Sequence, residues 1–220
     1  MAELIVAMAL FVGTHFLMSH PLRARLVRTL GTNGFLGAYS LVSIGLFVWA
    51  ILAYGNAPDA PPLWFVYFPT VIAAHILMWL ASILFIGSFL ARNPALVGAE
   101  GTLSHVEGPK GVLRITRHPM MWSFALWAVA HIAVLATPAT IVFSGGVGFL
   151  ALVGAWAQDQ KKRALIGEAW AAYTAHTTYW PRPRWPGLAA IAAGTLLYIF
   201  LVWLHPLAFG ASTRLWTYIL

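Results

Sequence analysis

The chain has 220 residues, of which 60% are hydrophobic and 9% are charged, and its formal net charge is +7. Soluble proteins average roughly 45–50% apolar and about 25% charged residues, so this composition excludes an ordinary soluble domain and indicates a membrane protein. The sequence contains no cysteine, which excludes disulfides, thiolate metal ligands and a cysteine nucleophile.

Six apolar runs of the length that crosses a bilayer, roughly 17 to 25 residues, follow one another along the chain. The first could imitate a signal peptide, but Glu3 precedes its apolar stretch in place of a positive segment, so we expect a mature helix. Thr137 and Pro138 separate the fourth run from the fifth, which predicts a tight helical hairpin. The sequence therefore predicts an all-α polytopic transmembrane bundle of about six helices, forming one domain over 1–220, with runs near 2–19, 34–54, 66–91, 119–136, 139–157 and 187–207.

The basic residues fall almost entirely in three of the loops between these runs. Arg214, in the C-terminal tail, is the exception, and the others follow the first, third and fifth runs: Arg23, Arg25 and Arg28; Arg92, Lys110, Arg114 and Arg117; Lys161, Lys162, Arg163, Arg182 and Arg184. The positive-inside rule then puts these loops in the cytoplasm and both termini in the periplasm of a bacterial inner membrane. Anionic lipid headgroups account for the charge, so we expect membrane lipids, and no nucleic acid, as partners.

Three of the eight histidines fall inside predicted spans, where imidazoles are costly and usually mark ligands, relays or polar cavities. Each has an aromatic residue four positions away on the same helical face, which pairs Phe11 with His15, His75 with Trp79, and Trp127 with His131. Phe124 extends the last pair into a stripe along the fourth span. One interpretation is a set of hydrogen bonds between helices. The other is a bis-imidazole haem in an apolar slot, with His131 as one metal ligand and His15 or His75 as the second. Depth along the helices favours His75, since it and His131 both lie toward the outer half.

The segment that leads into the fourth span carries two arginines and begins a helix at Pro119. Proline suits the first turn of a helix, where amide groups without intrahelical partners and nearby arginines make a site for a carboxylate, a phosphate or a haem propionate. We therefore expect Arg114, Arg117 and His118 to contribute to a cofactor site, with Trp127 on its apolar side. The alternative is a lipid-headgroup contact that only fixes topology.

Farther along the chain lies a region typical of an amphipathic helix on the membrane surface. It consists of Asp159–Arg163, Gly167–Tyr173 and the proline-rich segment 181–186. Lys161 and Arg163 would extend to the headgroups, and Trp170 and Tyr173 would anchor at the interface. The sequence has no P-loop, dinucleotide glycine pattern or serine elbow.

Several motifs give the chain a resemblance to the NnrU family. They are Asn93-Pro94 with Val97-Gly98, the run Ile115-Thr116-Arg117-His118-Pro119-Met120-Met121-Trp122, Ala128–His131, and Gly167–Trp170. The family is associated by name with denitrification and is similar to plant carotenoid isomerases, which are haem b membrane enzymes with histidine ligands. The resemblance implies haem b with His15 and His131 as axial ligands, and either redox-controlled isomerisation of an apolar polyene or an accessory role in denitrification. Because the chain lacks cysteine, any exchange of an axial ligand of the haem iron would use another histidine, a methionine or solvent.

A second resemblance is to membrane methyltransferases, such as the isoprenylcysteine carboxyl methyltransferases and the methanethiol S-methyltransferases. It rests on Arg117-His118-Pro119 with Gly167 and Tyr173. It implies S-adenosylmethionine in the cytoplasmic loops and a small or lipidic thiol as substrate, although the paired glutamates of that pattern are reduced here to Asp159. A third interpretation is a non-enzymatic assembly protein for a respiratory complex.

Overall fold

The computed structural model describes residues 1–95 and 108–210, except for the side chain of Phe209. The helices in these residues are α1 Ala2–Ser19, α2 Arg23–Gly55, α3 Phe68–Leu90, α4 Pro119–Leu135, α5 Pro138–Ile166, α6 Glu168–Ala175 and α7 Leu188–Phe209, with a 3₁₀ turn at Gly111–Arg114 before α4. The predicted all-α membrane bundle is confirmed, since five of these helices are long and apolar enough to cross a bilayer. The family-motif residues Val97 and Gly98, and Arg214 of the tail, lie outside the described residues.

The six predicted runs correspond to α1, α2, α3, α4, α5 and α7, and two of these helices are longer than predicted. α2 begins at Arg23 rather than near residue 34, and it bends at Gly31, whose φ of 70° and ψ of 170° are accessible essentially to glycine alone. The basic residues expected in the loop after α1 therefore lie on a helical segment before this bend. α5 continues to Ile166, and its last turns bury Asp159 and Lys162.

α4 and α5 form the tight hairpin that the sequence predicted. α4 ends at Leu135, Ala136 turns the chain with a φ of 45°, and α5 begins at Pro138. The hydroxyl oxygen of Thr137 accepts the backbone N–H of Thr140 at 3.2 Å, which caps the new helix. α4 has only 17 residues, fewer than each of the five helices long enough to span.

The long helices pack in a simple order. α7 lies on α3, α3 on α4, α4 on α5, α5 on α1, and α1 on α2. Large apolar side chains remain on the outside of this row; Leu41 on α2 and Leu188 on α7, for example, are 74% and 75% exposed. Lipid is the solvent that accommodates such faces, because the backbone polar groups are already satisfied within each helix.

The connections between helices define two ends of the bundle. At one end, which we call the basic end, α1 and α5 end and α4 begins. The segment after α6 also lies here, where the backbone N–H of Arg182 donates to the carbonyl of Ile115 at 2.9 Å. At the opposite end, Tyr54 of α2 and Thr140 of α5 share a hydrogen bond of 3.0 Å. The loops described at the opposite end contain no lysine or arginine.

Gly194 determines how closely α7 packs on α3. A Cβ at this position would lie 2.5 Å from the Cα and 2.8 Å from the backbone nitrogen of Ile83. Because the obstacle is backbone, α7 must move away, and we expect Gly194→Ala to lower the free energy of unfolding by about 1–3 kcal/mol. Gly145→Ala in α5 is the matched control, since a Cβ there has no neighbour within 4 Å. Thermal unfolding in detergent micelles compares the two, and equal midpoints would contradict close packing of α7.

Candidate functional site

A cavity of about 450 Å³ lies among α1, α2, α4 and α5 and reaches toward the basic end of the bundle. Its wall is mainly apolar, with aromatic side chains Phe11 from α1, Tyr39 and Phe47 from α2, and Phe124 from α4, together with Met121. This volume falls within the range of ligand pockets, roughly 300–1,000 Å³. The wall therefore suits a flat or extended apolar ligand.

His15 is a predicted metal ligand, and it lines this cavity. Its ring packs edge-on against Phe11 and Tyr39, with ring centroids 4.5 and 5.3 Å away. Its Nδ1 lies 2.7 Å from the carbonyl oxygen of Phe11, and because a carbonyl can only accept, Nδ1 carries the proton. Nε2 therefore keeps a lone pair, which is the arrangement typical of metal-bound histidines.

His131 shows the same hydrogen-bonding pattern at a different depth. Its Nδ1 donates to the carbonyl of Trp127 at 2.8 Å, and its ring centroid lies 4.3 Å from that of Trp127 and 6.5 Å from that of His205 on α7. His131 is not among the described residues that line the cavity. It shares a helical stripe with the cavity residue Phe124 and lies seven residues, roughly 10 Å, farther from the basic end. The stripe predicted from the sequence thus leads from the cavity toward His131.

His75, the third candidate ligand, lies in the interface between α3 and α7. Its Nδ1 is 2.7 Å from the hydroxyl oxygen of Tyr198. One turn along α3, the indole N–H of Trp79 donates to the hydroxyl of Thr195 at 2.9 Å. Both members of this predicted histidine–aromatic pair therefore bind α7 through hydrogen bonds between helices, and neither lines the cavity.

Asp159 near the end of α5 holds Arg117 and His118 at the basic end. Its Oδ2 accepts from Nε of Arg117 at 2.8 Å and also from Nη2, and its Oδ1 accepts from Nε2 of His118 at 2.7 Å. The side chains of Arg117, His118 and Asp159 are 12%, 1% and 5% exposed. Burial lowers the pKa of His118, although the hydrogen bond to Asp159 favours its charged form. This network joins the start of α4 to the end of α5.

The contacts of the four residues predicted to bind a cofactor do not converge on one group. Arg117 and His118 contact Asp159, Arg114 is exposed in the 3₁₀ turn, and Trp127 lies on the stripe that carries His131. α4 does begin at Pro119, as predicted. Because the carboxylate of Asp159 neutralises Arg117, the attraction of this helix N-terminus for an external anion is weaker than the sequence indicated.

The expectation that Trp170 and Tyr173 anchor at the membrane interface is wrong. Trp170 is 0% and Tyr173 is 6% exposed, and both pack in a cluster with Ala95. The ammonium group of Lys162 lies 5.4 Å from the ring centroid of Trp170 and donates to the carbonyl of Pro94. Burial raises the pKa of Tyr173. α6 therefore turns these aromatic side chains toward the protein, where a buried cation stacks on one of them.

Sequence reasoning did not single out His20 or Tyr39, which line the cavity beside His15. The signal for His20 was its place five residues after His15, just past the end of α1. Asp159 was noted as part of a surface helix and as the remnant of the paired glutamates of the methyltransferase pattern, not as a partner of Arg117 and His118. Its isolation as an acidic residue at the end of an apolar run could have marked it as a buried partner for a cation, because unpaired charges are rarely buried.

Comparisons with known proteins identify one family and two plant relatives. The family described as NnrU protein matches residues 3–213. The chloroplastic 15-cis-zeta-carotene isomerase of Zea mays is 30% identical over 147 residues, which cover 64% of this chain and 38% of that protein. The protein of the same name from Arabidopsis thaliana is 26% identical over 217 residues, covering 86% of this chain and 55% of that protein. The chain thus spans about half or less of the length of these relatives, and no solved structure matches it.

Proposed function

Because the chain belongs to the NnrU family, we propose that it is a haem b-binding membrane isomerase that acts on an apolar polyene under redox control. The observation that carries this proposal is the apolar cavity beside His15, whose Nε2 keeps a lone pair. The plant relatives are named for isomerisation of a carotenoid, which is an apolar polyene.

The residues around the cavity fit haem b on chemical grounds. Haem iron accepts neutral imidazole, and the protonated Nδ1 of His15 directs the unprotonated Nε2 to that role. Aromatic and aliphatic walls suit a porphyrin face, as Phe47 and Phe124 illustrate. His15 would hold the iron from α1. His131, which the family resemblance implies as the second ligand, keeps the same lone pair on Nε2 but is not among the described residues that line the cavity.

When bound, haem b would supply a redox-active iron next to the polyene. The protein's own part is to bind and orient a long apolar molecule and to exclude water from it. Isomerisation needs no other reactant, since the product has the same atoms as the substrate and only the geometry about one double bond changes. With the porphyrin in the cavity, the polyene would approach it from the lipid side, where Phe124 is partly exposed.

We also propose that the basic end faces the cytoplasm of a bacterial inner membrane, with both termini in the periplasm. The support is the asymmetry of lysine and arginine between the two ends of the bundle. In this orientation, membrane lipids surround the exposed apolar faces, and a polyene reaches the protein from the hydrocarbon core rather than from water.

The test is to purify the protein from haem-sufficient cells, record its visible spectrum and measure iron per chain. We expect a Soret band with about one haem per chain, because the cavity beside His15 has the volume of a single ligand site. We also expect conversion of a cis polyene in detergent that depends on reduction of the haem. A preparation with neither a Soret band nor stoichiometric iron would overturn the haem proposal. Haem without conversion of any cis polyene would instead favour the accessory role in denitrification that the family name suggests.

A further inference from the structure

The part of α2 that precedes the bend at Gly31, residues 23–30, forms a short helix of its own, which we call the basic segment. In a straight α-helix, Arg23 and Phe35 would lie about 18 Å apart along the axis. Here the guanidinium carbon of Arg23 lies 5.8 Å from the ring centroid of Phe35. The bend therefore brings the basic segment back toward the following turns of α2, at the basic end of the bundle, where α1 ends.

The basic segment has an apolar face and a basic face. Leu22, Leu26 and Leu30 recur every four residues and therefore share one stripe, and Leu22 and Leu30 are 41% and 50% exposed. Arg25 and Arg28 are three positions apart on a different face, and both are exposed. Exposed leucines on one face and exposed arginines on another are typical of a helix that lies in the plane of the membrane–water interface.

The charges of the basic face are not balanced by nearby carboxylates. The sequence has no acidic residue between Glu3 and Asp59. Within the described residues, no carboxylate forms an ion pair with Arg25 or Arg28. Arg23 already stacks on an aromatic ring, so the guanidinium groups of the other two arginines are the ones that an external anion can reach. The phosphates of anionic lipids lie at the depth where an interfacial helix rests.

We propose that the basic segment lies on the membrane surface and binds the headgroups of anionic phospholipids through Arg25 and Arg28. Its leucine stripe enters the lipid, and its arginines contact the phosphates. The amphipathic surface helix of this chain is therefore at the start of α2 and not in the region 167–173, where Trp170 and Tyr173 are buried. This role requires neither haem nor a polyene, so it holds or fails independently of the proposed function.

The experiment uses single cysteines as labelling sites, since the native chain has no cysteine. A nitroxide is attached to Leu30→Cys, on the leucine stripe, or to Ala24→Cys, on the other side of the basic segment. Each full-length protein is placed in nanodiscs of phosphatidylcholine with or without phosphatidylglycerol. Electron paramagnetic resonance then compares the collisions of the label with oxygen, which concentrates in lipid, and with a water-soluble nickel chelate. We expect the label at position 30 to favour oxygen and the label at position 24 to favour the chelate. Phosphatidylglycerol should shift the label at position 30 further toward oxygen, because it draws the arginines to the surface.

Two double variants separate the headgroup site from the total charge of the protein. Arg25→Gln with Arg28→Gln should abolish the shift that phosphatidylglycerol causes. Arg182→Gln with Arg184→Gln removes the same charge from an exposed segment at the same end and should retain the shift. Equal access of the chelate to both labels would overturn the position at the interface. A native protein that does not respond to phosphatidylglycerol, or a response that persists without Arg25 and Arg28, would overturn the headgroup site.

Discussion

The Asp159→Asn variant is expected to lose about 3–5 kcal/mol of stability and to unfold in detergent at a markedly lower temperature than the native protein. The carboxylate of Asp159 accepts hydrogen bonds from both Arg117 and His118, and its side chain is only 5% exposed. An amide of the same shape keeps one acceptor but removes the negative charge. The guanidinium of Arg117 would then stay largely buried without a counterion, which is the costly half of a broken ion pair.

Asp59→Asn is the matched control, because it makes the same chemical change at an exposed position between α2 and α3. Size-exclusion profiles after heating give the fraction of protein that remains folded for each variant. The control should follow the native protein. If Asp159→Asn also followed it, the network that joins α4 to α5 would have no structural role, and Asp159 would have to be retained for another reason.

The His15→Ala variant is expected to lose haem almost completely. His15 would supply a nitrogen directly to the iron, so its removal should weaken haem binding by more than the roughly 10- to 100-fold that loss of an outer partner of a ligand causes. Alanine cannot donate the hydrogen bond that His15 makes to the carbonyl of Phe11. That carbonyl still accepts its hydrogen bond within the helix. The measurement is the Soret absorbance per protein after purification from haem-sufficient cells.

His131→Ala tests the second ligand in the same preparation, and His176→Ala is the control at an exposed position. We expect His131→Ala to change the position or intensity of the Soret band and His176→Ala to leave it unaltered. A His15→Ala protein with a full native spectrum would contradict ligation from the cavity. A native spectrum in His131→Ala alone would indicate that another group completes the iron coordination.

The fold could be predicted from the sequence because lipid imposes a simple rule on it. Each spanning segment must satisfy its own backbone as a helix, so hydropathy alone located all six apolar runs. The rule carries no information where the chain leaves the hydrocarbon. α2 starts at Arg23 because helix continues through a basic segment, and α5 runs on to Ile166. Both extensions depend on local packing rather than on hydropathy.

The candidate site was predictable only in part, for reasons of sequence distance. The stripe with Phe124 and His131 follows from helix periodicity and was identified. By contrast, Asp159 meets His118 across 41 positions, and Lys162 meets Pro94 across 68. Periodicity cannot report such pairs, so Trp170 was assigned to the interface when its partner was in fact a buried ammonium.

The shortness of α4 has a consequence for the surrounding bilayer. Seventeen residues of α-helix extend roughly 26 Å, whereas the hydrocarbon layer is roughly 30 Å thick. A helix shorter than the layer is accommodated when the layer thins around it. We therefore expect the bilayer to be locally thinner beside α4. Its acyl chains would be compressed next to Phe124, which borders the cavity and is 37% exposed. Compressed and disordered acyl chains would ease the lateral passage of a long hydrocarbon between lipid and protein, and a thicker membrane would slow that exchange.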